Sequence, residues 1–259
     1  MKDIFRSIAM AFSMFSVVPT PRVEWKDSNM KYMLCALPLV GGVIGAVMVL
    51  WYCLCDALDV GRILYAAGMV LVPLFVSGGI HLDGFCDTVD ALASHAPAEK
   101  KRQILKDSHA GAFAAIGVAA YFVAHFALCA EMTFSLAAAI MLGVHQVYAR
   151  ALGALAGILL PSSTGEGLLS AFKNAAAKKA AAVLVCWCIV CAAAMTAVSL
   201  HGGIVCVLLG IGGFVYIKIM SRRQFGGMSG DLAGYIITLL QPVLALGFIF
   251  AEKVAALWF

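Results

Sequence analysis

Residues 78–111 hold the densest group of side chains in this chain that could do chemistry. In GGIHLDGFCDTVDALASHAPAEKKRQILKDSHAG, four aspartates stand among basic residues, whereas the flanking segments are strongly apolar. If residues 82–94 form a helix, Asp83, Asp87 and Asp90 follow at i, i+4 and i+7 and share one face. Carboxylates on one face repel each other unless a cation lies between them. This acidic stripe therefore predicts a divalent metal site, with a solvated acidic helix end as the alternative.

The metal that suits such a stripe is Mg²⁺, which takes one or two carboxylates and otherwise keeps waters and substrate phosphates. We expect Asp83, Asp87 and Asp90 to bind it, and Asp87 to be catalytic as well. Gly79 precedes the stripe and would let a phosphate approach the backbone closely. His81 is expected to act either as a general base or as the hydrogen-bond partner of a carboxylate.

Three more positions are candidates for substrate contacts or catalysis. Lys106 would bind phosphate, and Asp107 would complete the metal shell or accept the proton of an attacking hydroxyl, unless Asp107 or Ser108 only caps the next helix. Arg150 lies inside an apolar run, where an arginine is costly and by default functional. It would clamp a pyrophosphate with two hydrogen bonds, or else form an internal ion pair or snorkel to the surface. Asp231 follows the Gly-rich turn FGGMSG and is a metal or substrate ligand, or a helix cap.

The composition of the chain excludes an ordinary soluble domain. Of 259 residues, 63% are hydrophobic and only 12% are charged, whereas soluble domains carry about 25% charged residues. The apolar runs are continuous rather than alternating, which predicts an all-α, polytopic membrane protein and excludes a β-barrel. A net charge of +4 gives no indication of nucleic-acid binding.

The elements that must position the candidates are membrane-spanning helices, each of about 20 apolar residues. Seven spans are predicted, although the sixth is short and Gly-rich, so six is the alternative. The N-terminal run is too short to span and predicts an interfacial amphipathic helix that ends at Pro19. Residues 1–259 are interpreted as a single membrane-embedded domain. The predicted spans lie near 32–55, 62–80, 112–130, 133–156, 180–200, 203–219 and 234–256.

Basic residues indicate how these spans are oriented. Lysine and arginine concentrate in the N-terminal segment and in loops 94–111, 157–179 and 218–233, whereas the alternate connections hold few. Seven spans place every basic segment on one side. We therefore expect a multi-pass protein of the cell (inner) membrane whose site faces the cytoplasm. The nine cysteines lie mostly inside apolar runs and predict free thiols rather than a disulfide framework.

The candidate residues also carry a family resemblance. The stretch GGIHLDGFCDTVDAL, followed by ILKDSHAGAF, resembles the adenosylcobinamide-GDP ribazoletransferase family, also called cobalamin synthase. That family has a G-G-x-H-x-D-G-x-x-D-T-x-D block and then a K-D-S-R-x-G block. PLVGGVIG at 38–45, Arg150, GEGL at 165–168 and the turn at 226–231 are similar in the same order. The first block matches at Gly78, Gly79, His81, Asp83, Gly84, Asp87, Thr88 and Asp90.

The resemblance implies a reaction and its partners. Adenosylcobinamide-GDP would donate its adenosylcobinamide phosphate to α-ribazole, or to α-ribazole 5′-phosphate, and GMP would leave. The family requires Mg²⁺, and the reaction is the last assembly step of adenosylcobalamin. The expected partners are these substrates and the lipid bilayer, with no nucleic acid. A homo-oligomer, or a complex with other corrinoid-assembly enzymes, stays open.

This chain departs from the family pattern at a few positions. His109 stands where the family usually has arginine, which weakens any phosphate-clamping role there. Thr238 and Gln241 stand where glutamates are common, so these two positions carry no carboxylate in this chain. The aspartates of the stripe are intact, so we expect an active enzyme.

Two other function classes remain as alternatives. A CDP-alcohol phosphatidyltransferase also uses aspartates and Mg²⁺, but its D-x-x-D-G-x-x-A-R…G-x-x-x-D-x-x-x-D order is not found here. A transporter would place acids at the midplane of broken helices, whereas these acids are predicted at a helix end.

Overall fold

The computed structural model describes residues 2–107, 109–165, 167–176 and 178–258, except for the side chain of Lys2. In these residues the chain forms helices and no strand. A five-residue π-helical turn, Ser221–Phe225, continues α11. The helices are α1 (Lys2–Phe15), α2 (Asp27–Met30), α3 (Met33–Ala57), α4 (Arg62–Ser77), α5 (Ile80–Ala93), α6 (Ala98–Ile104), α7 (Ala112–Glu131), α8 (Leu136–Leu159), α9 (Leu168–Ala175), α10 (Ala180–Val198), α11 (Leu200–Met220) and α12 (Gly230–Trp258).

The predicted polytopic helical class is confirmed. Six helices of the described chain are long and apolar enough to cross a membrane, namely α3, α7, α8, α10, α11 with its π turn, and α12. A seventh crossing results if α4 and α5 count together. The sixth predicted span, 203–219, underestimates the length of the helix found there. The helical span Leu200–Phe225 has 26 residues. The N-terminal helix α1 ends at Phe15 rather than at Pro19.

The predicted span 62–80 ends early, because the chain turns sharply after Ser77. The axes of α4 and α5 differ by 97°. Gly78 and Gly79 have φ angles of +64° and +78°, a left-handed conformation that glycine adopts without steric cost. The Gly79 amide donates to the Leu74 carbonyl at 3.1 Å and closes the end of α4. Gly79 therefore has a backbone role in forming the turn, and its predicted substrate contact stays a prediction.

Helix α5 begins immediately after this turn and carries the acidic stripe. It runs from Ile80 to Ala93, close to the predicted 82–94, so Asp83, Asp87 and Asp90 do lie on one helix at the predicted spacing. Their common face is thus a consequence of local helix geometry.

Helix α8 lies at the centre of the bundle and packs closely on α3 through small residues. A Cβ atom at Gly45 would stand 2.9 Å from the Gly143 Cα atom, and one at Gly41 would stand 2.5 Å from the Gln146 carbonyl oxygen. The two backbones can approach this closely only because these residues lack side chains. Gly41 and Gly45 are therefore packing residues of the contact between α3 and α8.

Helices α5 and α12 approach each other in the same way. A Cβ atom at Gly84 would stand 2.7 Å from the Asp231 carbonyl oxygen, and one at Gly234 would stand 2.9 Å from the His81 carbonyl oxygen. This backbone contact places the start of α12 beside the acidic stripe. Asp231 therefore lies near aspartates that precede it in the sequence by almost 150 positions.

The three basic loops meet at one end of the bundle, as predicted. The Met228 amide donates to the Pro161 carbonyl at 2.7 Å, and the Ser163 amide donates to the Met228 carbonyl at 3.0 Å. Lys101 Nζ donates to Gln224 Oε1 at 2.5 Å. Loops 94–111, 157–179 and 218–233 are therefore joined by hydrogen bonds, while the side of the membrane that they face stays a prediction. All nine cysteines are free thiols, as expected.

The close contact of α3 with α8 leads to a first prediction. Gly45→Ala should lower the free energy of unfolding by about 1–3 kcal/mol, because the new methyl group collides with backbone that cannot rotate away. Gly42→Ala is the matched control, since nothing lies within 4 Å of a Cβ atom at Gly42. Denaturant unfolding in detergent measures both variants. Equal stabilities would contradict the packing of these two helices.

Candidate functional site

Four aspartates form what we call the aspartate cluster: Asp83, Asp87 and Asp90 of α5 and Asp231 of α12. Asp83 is exposed and the other three are half-buried. Asp87 interacts electrostatically with Asp83, Asp231 and Asp90. Within the part of the chain that the structure describes, the ion pairs involve none of these four carboxylates. The cluster therefore concentrates negative charge that no lysine or arginine of the described chain compensates by direct contact.

Asp90 has a structural partner of its own. Its Oδ2 atom accepts a hydrogen bond from the Gly111 amide at 2.7 Å, and its Oδ1 atom accepts one from the Ala114 amide at 3.2 Å. Asp90 thus satisfies free amides at the start of α7. This corrects the alternative in which Asp107 would cap that helix. Ser108, the other residue proposed for that role, lies outside the described residues.

Ser229 caps the start of α12, because its hydroxyl accepts a hydrogen bond from the Leu232 amide at 3.3 Å. The Asp231 carboxylate hydrogen-bonds its own amide and the Ser229 side chain and interacts electrostatically with Asp83. Asp231 also lines both cavities described below. Its predicted role as a metal or substrate ligand stays a prediction.

His81 lies at the buried end of α5. Its side chain is only 6% exposed, and its ring stands 5.8 Å from the Phe15 ring of α1. The Nε2 atom is buried and has no hydrogen-bond partner among the described residues. A buried imidazole nitrogen without a partner is costly, and this nitrogen is free to bond a ligand or a water.

Arg150 lies deeper, on α8. It is 1% exposed and donates to both the carbonyl oxygen and the Oε1 atom of Gln146, at 3.1 and 2.9 Å. It shares a cavity of about 20 Å³ with His81, Thr238 and Gln241, enough room for about one water. Arg150 reaches a phosphate only if this region opens, so its predicted phosphate contact stays a prediction.

A larger space, which we call the apolar cavity, lies between α1, α3, α5, α8, α9 and α12. Its volume is about 160 Å³. His81, Asp83 and Asp231 form its polar edge. Its wall is otherwise apolar and includes Met14, Phe15, Leu34, Leu37, Phe172 and Ile237.

A second space, the polar cavity, adjoins it where the three basic loops meet. Its volume is about 230 Å³. It is lined by two basic side chains and several hydroxyls, and it begins where the N-terminus of the long helix α12 presents free amides. Arg102 is already ion-paired with Glu99, and Asp231 adds a carboxylate to the lining. The attraction for an anionic ligand therefore comes from Lys106, the hydroxyls and the helix N-terminus. Its polar lining includes Arg102, Lys106, Ser162, Ser163 and Ser229.

Asp107 lies apart from both cavities. It is exposed, and its Oδ1 atom is 3.0 Å from the His109 amide and 2.8 Å from the His109 ring. These hydrogen bonds lower the pKa of Asp107. The structure brings Lys106, its neighbour, to the polar cavity but does not bring Asp107 to the aspartate cluster. The catalytic role of Asp107 stays a prediction.

The sequence patterns did not predict several residues that line these cavities. Arg102 lies in the basic loop 94–111 and carries no further signal in the sequence. In the structure it lines the polar cavity and donates to the Phe225 carbonyl at 2.9 Å. Phe172 of the short helix α9 and Met14 of α1 were not candidates at all. Both helices are amphipathic, and that pattern was the available signal that each covers a buried surface.

The fit of the aspartate cluster to a metal ion depends on how many protein ligands the ion needs. The described residues contain no group of three or more His, Cys, Asp or Glu side chains placed to hold a metal. Magnesium needs only one or two protein carboxylates when substrate phosphates and waters complete its shell. One or two of the carboxylates of Asp83, Asp87 and Asp231 fit that requirement. A closed protein cage such as a structural zinc site does not fit the described residues.

Six or seven apolar helices that carry one charged site at a bundle end define a polytopic membrane protein with a candidate active site for an anionic substrate. The model of the family described as cobalamin-5-phosphate synthase matches residues 7–249. The chain belongs to this family, and it is an enzyme, a transferase of cobalamin assembly. This membership decides against the phosphatidyltransferase and transporter alternatives.

Curated relatives agree with the family along nearly the whole chain. An adenosylcobinamide-GDP ribazoletransferase of Lachnoclostridium phytofermentans is 36% identical over 249 residues, covering 96% of this chain and 95% of the relative. The protein of the same name from Clostridium perfringens is 32% identical, covering 96% and 100%. That of Geobacillus thermodenitrificans is 28% identical, covering 92% of each. No solved structure matches this chain.

The two hydrogen bonds of Asp90 lead to a second prediction. Asp90→Ala should lower the free energy of unfolding by about 0.5–2 kcal/mol, because the start of α7 loses its cap. Asp90→Asn keeps one acceptor oxygen and should retain part of the stability. Asp107→Ala is the control, since Asp107 is exposed and caps nothing. If Asp90→Ala unfolds at the same denaturant concentration as Asp107→Ala, the capping role is wrong.

Proposed function

We propose that this chain transfers the adenosylcobinamide phosphate group from adenosylcobinamide-GDP to α-ribazole, or to α-ribazole 5′-phosphate. Adenosylcobalamin, or its 5′-phosphate, and GMP would be the products. The observation that carries this proposal is the uncompensated aspartate cluster, whose member Asp231 lines both the apolar and the polar cavity. The printed names of the relatives support the choice of substrates.

The reaction is a displacement at phosphorus. A ribose hydroxyl oxygen of the acceptor forms a bond to the phosphorus next to cobinamide. The bond from that phosphorus to the oxygen that bridges the two phosphates breaks, and GMP departs with the bridging oxygen. The proton of the hydroxyl leaves to a base. Enzymes accelerate such displacements chiefly by positioning the reactants and neutralising charge.

The aspartate cluster is the proposed Mg²⁺ site. One or two of the carboxylates of Asp83, Asp87 and Asp231 would hold the ion, with substrate phosphates and waters completing its shell. Asp90 stays a predicted ligand because each of its oxygens keeps a second lone pair. When bound, Mg²⁺ supplies charge neutralisation for the diphosphate and for the departing GMP.

Other residues of the site would orient the substrates and accept the proton. Lys106 and Arg102 line the polar cavity and would bind phosphate oxygens. His81 has a buried Nε2 atom without a partner and stands at the edge of the apolar cavity, which suits a proton acceptor for the attacking hydroxyl. Asp87 is the second candidate for this role.

The location of the site is also part of this proposal. The basic loops that surround the polar cavity would face the cytoplasm of a cell (inner) membrane, because loops rich in lysine and arginine are retained there. Both the nucleotide donor and released GMP are charged and would enter and leave from water on that side.

Turnover by the purified protein is the third prediction and the main test. Wild-type protein in detergent or liposomes, supplied with adenosylcobinamide-GDP, α-ribazole and Mg²⁺, should release GMP. Asp87→Asn should lower kcat at least about a hundredfold, because charge stabilisation of this kind is worth that much. Without Mg²⁺ its stability should not fall, because the substitution removes a carboxylate that its neighbours repel. Asp56→Asn removes an exposed carboxylate at the opposite end of α3 and should keep full activity. No GMP from the wild type would refute the proposed function.

Dependence on magnesium is the fourth prediction. Treatment with EDTA should remove activity and added MgCl₂ should restore it, whereas NaCl at equal ionic strength should not. Because the ion binds the folded protein, Mg²⁺ should also raise the midpoint temperature of wild-type unfolding and raise that of Asp87→Asn less. Full activity in EDTA, or equal thermal shifts for both proteins, would contradict a Mg²⁺ site at the cluster.

A further inference from the structure

We propose that the apolar cavity binds the aromatic base of the acceptor nucleoside and thereby selects which bases the enzyme accepts, whereas the polar cavity binds the phosphates of the donor. This inference rests on the proposed function, since it assigns the two substrates of that reaction to two different spaces. The linings of the two cavities, and the residues that they share, support it.

The lining of the apolar cavity suits a flat aromatic ring. Phe15 and Phe172 bring aromatic side chains to the wall, and Leu34, Leu37 and Ile237 bring branched aliphatic ones. Phe172 is buried and is itself backed by the ring of Trp25, 6.3 Å away and nearly parallel. Ligand pockets with this combination hold rings by burial and stacking and orient them with a few polar groups.

The polar edge of the apolar cavity identifies the occupant as a nucleoside rather than a lipid chain. The His81 side chain is only 6% exposed. Its Nε2 atom has no hydrogen-bond partner in the described chain. Asp83 and Asp231 stand at the same edge. A hydrocarbon tail would leave these groups unsatisfied, whereas the hydroxyls of a ribose attached to the base would bond them.

A groove elsewhere in the protein, which we call the lipid-type groove, has no such polar edge. The groove between α11 and α12 is lined by Val205, Leu209, Leu246 and Phe250, together with further apolar residues, and contains no polar side chain. It has a hydrocarbon surface throughout. The apolar cavity differs from it in the charged and hydrogen-bonding groups collected at one end.

The two substrate cavities meet at Asp231, one residue of the aspartate cluster. Gly230, Asp231, Leu168 and Leu169 line both of them. A base in the apolar cavity would therefore direct its ribose toward Asp231, while a diphosphate in the polar cavity would reach the same carboxylate from the other side. Phosphoryl transfer needs the attacking and leaving oxygens roughly in line, and two spaces on either side of one carboxylate suit that requirement.

The experiment changes the size of the apolar cavity in opposite directions. Met14→Trp fills it from α1, and Phe172→Ala enlarges it from α9. Each variant is assayed for kcat/KM with α-ribazole, with the analogue that has an unsubstituted benzimidazole base, and with an analogue whose base carries an additional fused ring. Leu246→Ala, in the lipid-type groove, is the matched control.

We expect Met14→Trp to shift the preference toward the smallest base by at least about tenfold, and Phe172→Ala to shift it toward the largest base by a similar factor. The KM for adenosylcobinamide-GDP should not change in either variant, and Leu246→Ala should keep the wild-type preference. General loss of stability cannot produce shifts in opposite directions. If wild-type protein turns over but both variants keep its base preference, this inference is overturned and the proposed function stands. If the wild type releases no GMP, the proposed function fails instead.

A measurement on wild-type protein covers the case in which a variant does not fold. An α-ribazole analogue with a photoreactive azide on its base is irradiated with the protein, and the labelled peptides are identified by mass spectrometry. Label on Met14, Phe15 or Phe172, which line the apolar cavity and not the polar one, supports the inference if excess α-ribazole suppresses it. Label confined to the groove that contains Leu209 and Leu246, or to the polar cavity, overturns it.

Discussion

The site depends on one backbone contact, the approach of α5 to α12 at Gly84 and Gly234. Either glycine, given a side chain, would meet the main chain of the other helix at less than 3 Å. Because the helices touch here, Asp231 stands beside Asp83 and Asp87, and the first turn of α12 reaches the wall of both cavities. A separation of only a side chain's width would divide the aspartate cluster into two unrelated acidic helix ends. The sharp turn at Gly78 and Gly79 serves the same contact, since it directs α5 toward α12 rather than along α4.

The aspartates of this cluster repel each other, yet the fold holds them close together. Carboxylates that lie near each other without a cation destabilise the fold, and the described chain offers no lysine or arginine that pairs with them. The repulsion is tolerated because packing elsewhere determines the positions of α5 and α12, and because the Asp90 carboxylate accepts hydrogen bonds from amides at the start of α7. Sites that bind metal and phosphate commonly store such unfavourable electrostatics, which the ligand then relieves. The same logic applies to His81, whose buried Nε2 atom lacks a partner.

The polar and apolar cavities are formed by different kinds of chain segment. The polar cavity is built from segments between the membrane helices, where Lys106 and Ser163 line it together with Arg102, which is held by Glu99 and by the Phe225 carbonyl. The apolar cavity is closed by two short amphipathic helices, α1 and α9, which lie against the bundle.

The sequence by itself determined what depends on local spacing and on hydropathy. Apolar runs of sufficient length specify helices, the i, i+4, i+7 spacing puts Asp83, Asp87 and Asp90 on one face, and the scarcity of acids elsewhere marks that face as a site. Only the tertiary structure decided which distant residues complete it. That Asp231 joins the stripe, that Asp90 caps α7 and that Arg102 lines a cavity all follow from contacts between segments far apart in the chain. Such contacts depend on side-chain volume at helix crossings and on turns that loops adopt only in the packed structure. The periodicity of a single segment encodes neither of these.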